Sequence, residues 1–417
     1  MRLSDFGNRL TKDAGILQLM DDLGRAMAGG KTKAMFGGGN PAQIPEVTEY
    51  YERELLKITQ DPLKVRSLLG NYDTPQGNQE FIETFVGYIN RLYGWGITTD
   101  NVAITPGSQT GFFMLFNMLA GVRGGRKRKI LLPIVPEYIG YSDQLIEPDS
   151  FVSVRPKIDK IGEHEFKYKI DFDNLVVDES VAGIALSRPT NPTGNTVTNS
   201  EIKRLAGLAK SAGVPLIIDN AYGLPFPGVI SSSAKVYFDD NTVLSFSLSK
   251  LGLPSARVGI FVGPPDLMRA LSSATAIVSL ASPSYGQYIT RELFASDKVN
   301  ELSRKYIQPF YRKRAAVARQ KIVSQLPDDL PWRLHKYEGS YFFWLWLDGA
   351  KKSSLQIYDY LKKRGVVVVP GEYFFPGQEA GNWAHMKQCL RLNYSRPDEE
   401  LDAGANVLGE AVAWAYK

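Results

Sequence analysis

Between residues 108 and 262 the chain alternates helical patterns with short, almost wholly apolar runs. Residues 129–135, 182–187, 215–219, 242–247 and 257–262 read as strands, and residues 108–120 and 200–212 as helices, the second capped by Ser200 or Asn199. A strand that is apolar on both faces must be covered on both faces. Helices do this in a mostly parallel sheet, so the pattern predicts an α/β fold. In such sheets functional groups gather at the carboxyl ends of the strands. Asp219, Ser249 and Lys250 fall at or just past such ends.

After about residue 295 the pattern changes. Residues 299–325 read as one long charged helix, followed by strand signals at 340–347, 366–369 and 389–394 and helices at 354–364 and 397–416. We expect two units. Residues 62–294 form the large domain, and residues 1–61 and 295–417 together form a smaller α+β domain, in keeping with a length of 417 residues.

Charge and cysteine content narrow the function classes. A net charge of +5 spread over this length is no nucleic-acid or membrane footprint. The one basic cluster, Arg123, Arg126, Lys127, Arg128 and Lys129, is flanked by Gly121, Gly124 and Gly125 and reads as a solvated loop. Cys389 is the single cysteine, so no intrachain disulfide forms, and its apolar neighbours mark it as a buried structural thiol. The first 15 residues lack the pattern of a signal peptide, which predicts a cytoplasmic protein.

Six short segments carry candidate chemistry. Lys250 follows an apolar strand, where desolvation lowers an amine's pKa and makes it nucleophilic. Asp219 ends another such strand and calls for a cation, a bound cofactor's or a helix start. Tyr222 lies three residues on. The turn from Ser187 through Pro189, Asn191 and Pro192 to Gly194 projects the Asn191 amide from a rigid loop. Gly107, Ser108 and Gln109 open an apolar helix whose free amides suit an anion. Arg257, with Ser247 and Ser249 nearby in sequence, would complete a phosphate pocket. Arg391 lies inside an apolar strand and needs a buried anion, from a salt bridge or from a substrate carboxylate.

Taken in order, these segments resemble the fold-type I aminotransferases, and the resemblance covers nearly the whole chain. Longer strings, among them residues 35–45, 71–77, 136–141, 219–228 and 247–254, are similar to those of the valine–pyruvate aminotransferases. The resemblance implies a large domain built on a mostly parallel seven-stranded sheet that binds pyridoxal 5′-phosphate (PLP). Lys250 would carry the cofactor as a Schiff base and move the substrate's proton. Asp219 would pair with the pyridinium, and Asn191 and Tyr222 would bond its 3-oxygen. Ser108, Gln109, Ser247 and Arg257 would hold the phosphate, although many relatives place that arginine eight residues after the lysine and here it is seven. Tyr138 would stack on the ring. Tyr72 would reach the phosphate of a neighbouring subunit, which implies a homodimer with shared sites. Gly39, Arg391 and Asn191 would hold the substrate carboxylate. No metal is implied.

Dicarboxylate-specific relatives carry a further arginine after the cofactor lysine, but residues 270–290 contain neither Arg nor Lys. The expected substrates are therefore small and apolar, such as valine with pyruvate. The run 15–19 covers the substrate side chain or packs in the core. A C–S lyase uses the same cofactor landmarks and stays open, as does another apolar preference. A non-catalytic regulator is disfavoured, because Lys250 and Asp219 are both present and Tyr72 comes too early for a preceding DNA-binding domain.

Overall fold

A computed structural model describes residues 2–11, 14–27, 32–379, 381 and 383–417. Its main sheet runs, in spatial order, Val102–Pro106, Val258–Val262, Thr242–Ser247, Leu216–Asp219, Val181–Ser187 and Arg126–Leu132, with Phe151–Ser153 parallel to the last. Those seven positions match the expected number. Val258–Val262 is antiparallel to both neighbours, and the strands from 242 through 151 are mutually parallel.

An eighth strand, Gly121–Arg123, corrects the basic-loop reading. It pairs antiparallel with Arg126–Leu132 around Gly124 and Gly125, both at positive φ. The cluster is thus a tight hairpin, because two consecutive glycines supply the left-handed turn that matches strand twist.

The interior strands are buried on both faces, which is why their sequences do not alternate. Register then fixes the site. Ser187, Asp219 and Ser245 stand side by side at three adjacent strands. The helix after the first of these strands is Asn199–Ser211, and its cap is Thr198 rather than Ser200 or Asn199. The Thr198 hydroxyl accepts from Glu201 N, and the Glu201 carboxylate accepts from Thr198 N, a reciprocal capping box.

A second sheet runs Val369–Pro370, Cys389–Asn393, Phe342–Leu347, Trp332–His335, Glu165–Lys169 and Lys157–Ile161. Its last two strands come from inside the span 62–294, with Glu165 in parallel register with Leu334. Ala34–Met35 pairs with Val366–Val367, which ties the N-terminal stretch to the C-terminal one. The expected single helix at 299–325 is divided into Lys298–Leu302, a π turn at Ser303–Ile307, and Gln308–Val323. Pro309 offers no N–H for the regular ladder, and a wider turn just before it absorbs the defect. Among the described residues no helix is long and apolar enough to cross a membrane, and no His, Cys, Asp and Glu cluster could hold a metal.

Candidate active site

At the carboxyl ends of the central strands lies a cavity of about 130 Å³. Ser108, Gln109, Tyr138, Asn191, Asp219, Tyr222, Ser247, Lys250 and Arg257 all line it, together with Phe112, Ser187, Ala221 and Ser249. Nine expected site residues, spread over 150 positions of sequence, therefore meet in one place.

One end is built for an anion. The helix Ser108–Leu119 starts after Gly107 with no side-chain cap, so its first amides keep their donors free. Gly107 is at φ +83, and a Cβ there would come within 2.3 Å of an Arg257 Nη, so glycine is required for the guanidinium to lie across the helix start. Gly259 has the same role on the strand side, where a Cβ would meet Ser108 N at 2.5 Å. The Ser108 hydroxyl donates to Phe246 O at 3.2 Å, and Ser247 Oγ accepts from Ser249 N at 3.2 Å. Arg257 thus reaches the helix start from the seventh position after Lys250.

The opposite end is built for a cation. Asp219 Oδ2 accepts from the Tyr141 hydroxyl at 2.8 Å, and Oδ1 accepts from Ala221 N at 3.0 Å and Ser245 Oγ at 3.3 Å. Burial raises the Asp219 pKa, and these three bonds and Lys250 oppose the rise. Lys250 is held between the two ends. Its Nζ donates to Gly39 O at 2.9 Å and lies 5.5 Å from the centre of the Tyr222 ring. Desolvation and then the nearby Arg391 and Arg257 lower its pKa to about 8, with Asp219 acting the other way. The Tyr341 hydroxyl donates to Lys250 O at 2.6 Å and the Tyr51 hydroxyl to Leu251 O at 3.0 Å, so the turn bearing the amine is clamped by side chains from outside the main sheet.

Arg391 is 1% exposed, yet no described carboxylate pairs with it. One Nη donates to Asn191 Oδ1 at 2.9 Å and the other to Gly37 O at 2.7 Å, and Nε has no partner. The Phe342 ring lies 4.1 Å from the guanidinium and the Phe374 ring 5.3 Å. Burial lowers its pKa to about 10, so it stays charged at neutral pH. Among the described residues no structural salt bridge forms at Arg391. Neither Lys250 nor Arg257 has a carboxylate within ion-pair distance among the described residues. Two cations, Lys250 and Arg257, line the cleft with a single carboxylate, and Arg391 stands behind Asn191 just outside that lining, an arrangement that attracts anionic ligands.

Tyr72 is 86% exposed and lies apart from the cavity. Gly39 contributes its carbonyl to Lys250. The 15–19 run begins the helix Gly15–Met27, where Leu19 packs near Gly37, and the Tyr373 hydroxyl donates to Gln18 Oε1 at 2.6 Å.

Sequence reasoning quoted Glu137 and Tyr141 within a longer string and gave neither a role. Glu137 is fully buried; it accepts from Ser187 N at 2.7 Å, Ser187 Oγ at 2.6 Å and Tyr138 N at 3.2 Å. Burial pushes its pKa up to about 8. The signal was available, since a carboxylate in an apolar stretch is costly wherever it occurs, as argued for Asp219.

Residues 52–408 match the family model of class I and II aminotransferases. A valine–pyruvate aminotransferase of Escherichia coli K12 is 43% identical over 420 aligned positions, covering 100% of this chain and 99% of that protein. A solved Psychrobacter arcticum protein assigned to the amino-acid aminotransferases superposes with a TM-score of 0.96 at 41% identity, covering 100% of this chain and 99% of its own. The valine–pyruvate aminotransferase of Salmonella typhimurium LT2 superposes with a TM-score of 0.87 at 39% identity, over 96% and 99% of the two chains.

Proposed function

The chain belongs to the class I and II aminotransferase family, and from that membership we propose that it transfers the amino group of valine, or of a similar small apolar amino acid, to pyruvate with pyridoxal phosphate. The products are 3-methyl-2-oxobutanoate and alanine. The observation that carries this reading is the cavity itself: an amine, a carboxylate and an uncapped helix start converge there, and a buried arginine with no ion pair among the described residues backs it through Asn191.

The residues fit the cofactor. The buried Tyr222 hydroxyl and Gln109 Oε1 have no protein partner, as expected where a polar ligand belongs. Asp219 supplies the anion for a protonated ring nitrogen. The Tyr222 hydroxyl and the Asn191 amide, whose carbonyl already accepts from Arg391, supply donors for a phenolic oxygen. The Ser108 and Gln109 amides, Ser247 and Arg257 supply a phosphate cradle, and Tyr138 supplies an aromatic face. When bound, pyridoxal phosphate provides an electron-withdrawing ring that stabilises charge at a substrate α-carbon.

The protein's own part follows from the geometry. Arg391 takes the substrate carboxylate on a guanidinium kept in plane by Phe342 and Phe374, with the Gly39 loop beside it. That contact aims the α-carbon at Lys250. With a pKa of about 8, Lys250 Nζ is neutral often enough near pH 7 to remove the α-proton and to return one in the reverse half-reaction. The cleft's cations are balanced by phosphate and carboxylate, so nothing in it favours a charged substrate side chain.

We further propose a homodimer in which Tyr72 reaches the neighbouring subunit's phosphate site. Its support is a set of exposed apolar side chains around Tyr72 and in the 277–280 stretch: Leu63, Leu69, Ile277 and Leu280. Asn78 N donates to Gln287 at 2.9 Å and Ser67 bonds Tyr288 at 2.8 Å, which ties the segment around Tyr72 to the helix Tyr285–Ala295 that follows the 277–280 stretch. We also propose a cytoplasmic location, in keeping with the sequence of the first 15 residues and the single, buried Cys389. We also propose the division into units 62–294 and 1–61 with 295–417; residues 157–169, inside the first span, pair into the second sheet.

An amino-donor panel with pyruvate tests the reading. Valine and its small apolar neighbours should outrun aspartate and glutamate. A preference for dicarboxylates, or elimination from cystathionine outpacing transamination, would overturn it.

A further inference from the structure

We propose that Tyr141 is a positioning residue: its hydroxyl fixes the Asp219 carboxylate and keeps it ionised against the cofactor's ring nitrogen. The proposal rests on the pyridoxal-phosphate reading above and adds to it a residue that never touches the cofactor.

The three donors on Asp219 are not equivalent. Ala221 N and Ser245 Oγ both meet Oδ1, and both come from the strand ends next to Asp219. Tyr141 alone holds Oδ2, at 2.8 Å, and it arrives from a separate turn 78 residues earlier. Without it the carboxylate keeps one edge tethered and the other free to rotate. A neutral hydroxyl bonded to a carboxylate favours the charged form, and here it opposes the upward push of burial on Asp219.

Tyr141 is itself rigid. It is 1% exposed, and its ring packs against Phe112 and Phe116 at 5.2 Å each and edge-on to Tyr138 at 5.3 Å. The same short turn, Ile139–Tyr141, closes with Tyr141 N donating to Tyr138 O at 2.9 Å. One turn therefore aims the aromatic face and braces the acid. The other ionisable groups near Asp219 are Lys250, Glu137, Tyr138 and Tyr222. Of these only Lys250 acts on Asp219 with opposite charge, and none bonds Oδ2. Burial and Asp219 hold the Tyr141 hydroxyl protonated, so it donates throughout the working pH range.

Tyr141→Phe removes the hydroxyl and keeps the packed ring. Three measurements on the purified enzyme read the result: cofactor affinity of the apoprotein by titration with pyridoxal phosphate, the pH titration of the bound cofactor's visible band, and kcat against KM for valine. A hydrogen bond to a charged group supports about a tenfold weaker cofactor affinity and about a tenfold lower kcat, with KM little changed. The midpoint of the band's titration should move upward, because a ring that is less often protonated leaves the proton more firmly on the Lys250 nitrogen. Ser245→Ala should move all three in the same direction by less. An unchanged midpoint together with unchanged affinity in Tyr141→Phe overturns the proposal. If the parent protein takes up pyridoxal phosphate without any visible band, the cofactor reading itself fails, and the two failures are thereby told apart.

Discussion

Two of the buried polar clusters among the described residues are finished differently. Behind the second sheet, Trp344 Nε1 donates to the Tyr168 hydroxyl at 2.9 Å, that hydroxyl bonds His385 Nε2, and Cys389 Sγ lies 3.6 Å from the same nitrogen. His335 closes the group, with Nδ1 on Lys336 O at 2.7 Å. Burial lowers both histidines to a pKa of about 3, so they are neutral, and each polar group finds a protein partner. In the cleft around Lys250 the same kinds of side chain are left open: the Tyr222 hydroxyl, Gln109 Oε1 and Arg391 Nε have none. A cluster that closes on itself holds the fold, and one left unfinished is finished by a ligand.

Changes in the open cluster should therefore cost activity and spare stability. Lys250→Ala has the largest expected effect. It should abolish the visible cofactor band and lower turnover on the order of 10⁴-fold, the scale of a lost proton-transfer group. Steady-state assays and an absorbance spectrum check this, and normal turnover would sink the assignment. Arg391→Met comes next. The guanidinium has no counter-charge among the described residues, so a methionine between Phe342 and Phe374 should change unfolding free energy by no more than about 2 kcal/mol. The same variant should lower kcat/KM for every amino acid by about 100-fold, the loss of a paired carboxylate contact. A variant that unfolds yet keeps its specificity constant would mark Arg391 as structural.

How much of this contrast was legible beforehand depended on what each residue's neighbours in sequence could say. Lys250, Asp219, Asn191 and Arg391 stand out because each is polar where its own strand or turn is apolar or rigid, and their order along the chain does the rest. Tyr141 and Glu137 give no such order. Their roles exist only once the turn 139–141 folds back on the end of Leu216–Asp219 and Glu137 meets Ser187, contacts spanning 78 and 50 positions. The hairpin Lys157–Ile161 and Glu165–Lys169 was missed because its charged alternation suits any surface and the partner of its second strand, Trp332–His335, is far away in sequence. Tyr72 was named on resemblance alone. It is exposed to solvent, and its proposed site on a second copy has no signal in its sequence neighbours.

The closed cluster supplies the smallest effect on turnover and the sharpest test of the comparison. His385→Phe removes the acceptor of the Tyr168 hydroxyl. That should cost about 1–3 kcal/mol of stability at pH 7, the price of one buried donor left unpaired. The variant should also respond differently to acid. In the folded protein His385 and His335 take up protons only near pH 3, whereas unfolded histidine does so near 6.5. Between those values the unfolded chain binds more protons, so stability is full above about 6.5 and falls as pH drops toward 3, by up to roughly 1.4 kcal/mol per pH unit for each histidine. Removing one should flatten the slope by that amount. Urea unfolding from pH 7 to pH 4 measures the slope, and kcat/KM for valine should stay within about twofold because no ligand-facing group is altered. If turnover in His385→Phe instead falls as far as in Arg391→Met, the second sheet's cluster is coupled to the cleft through Trp344 and Phe374, whose rings pack at 5.5 Å, and the division between closed and open clusters must be redrawn at that contact.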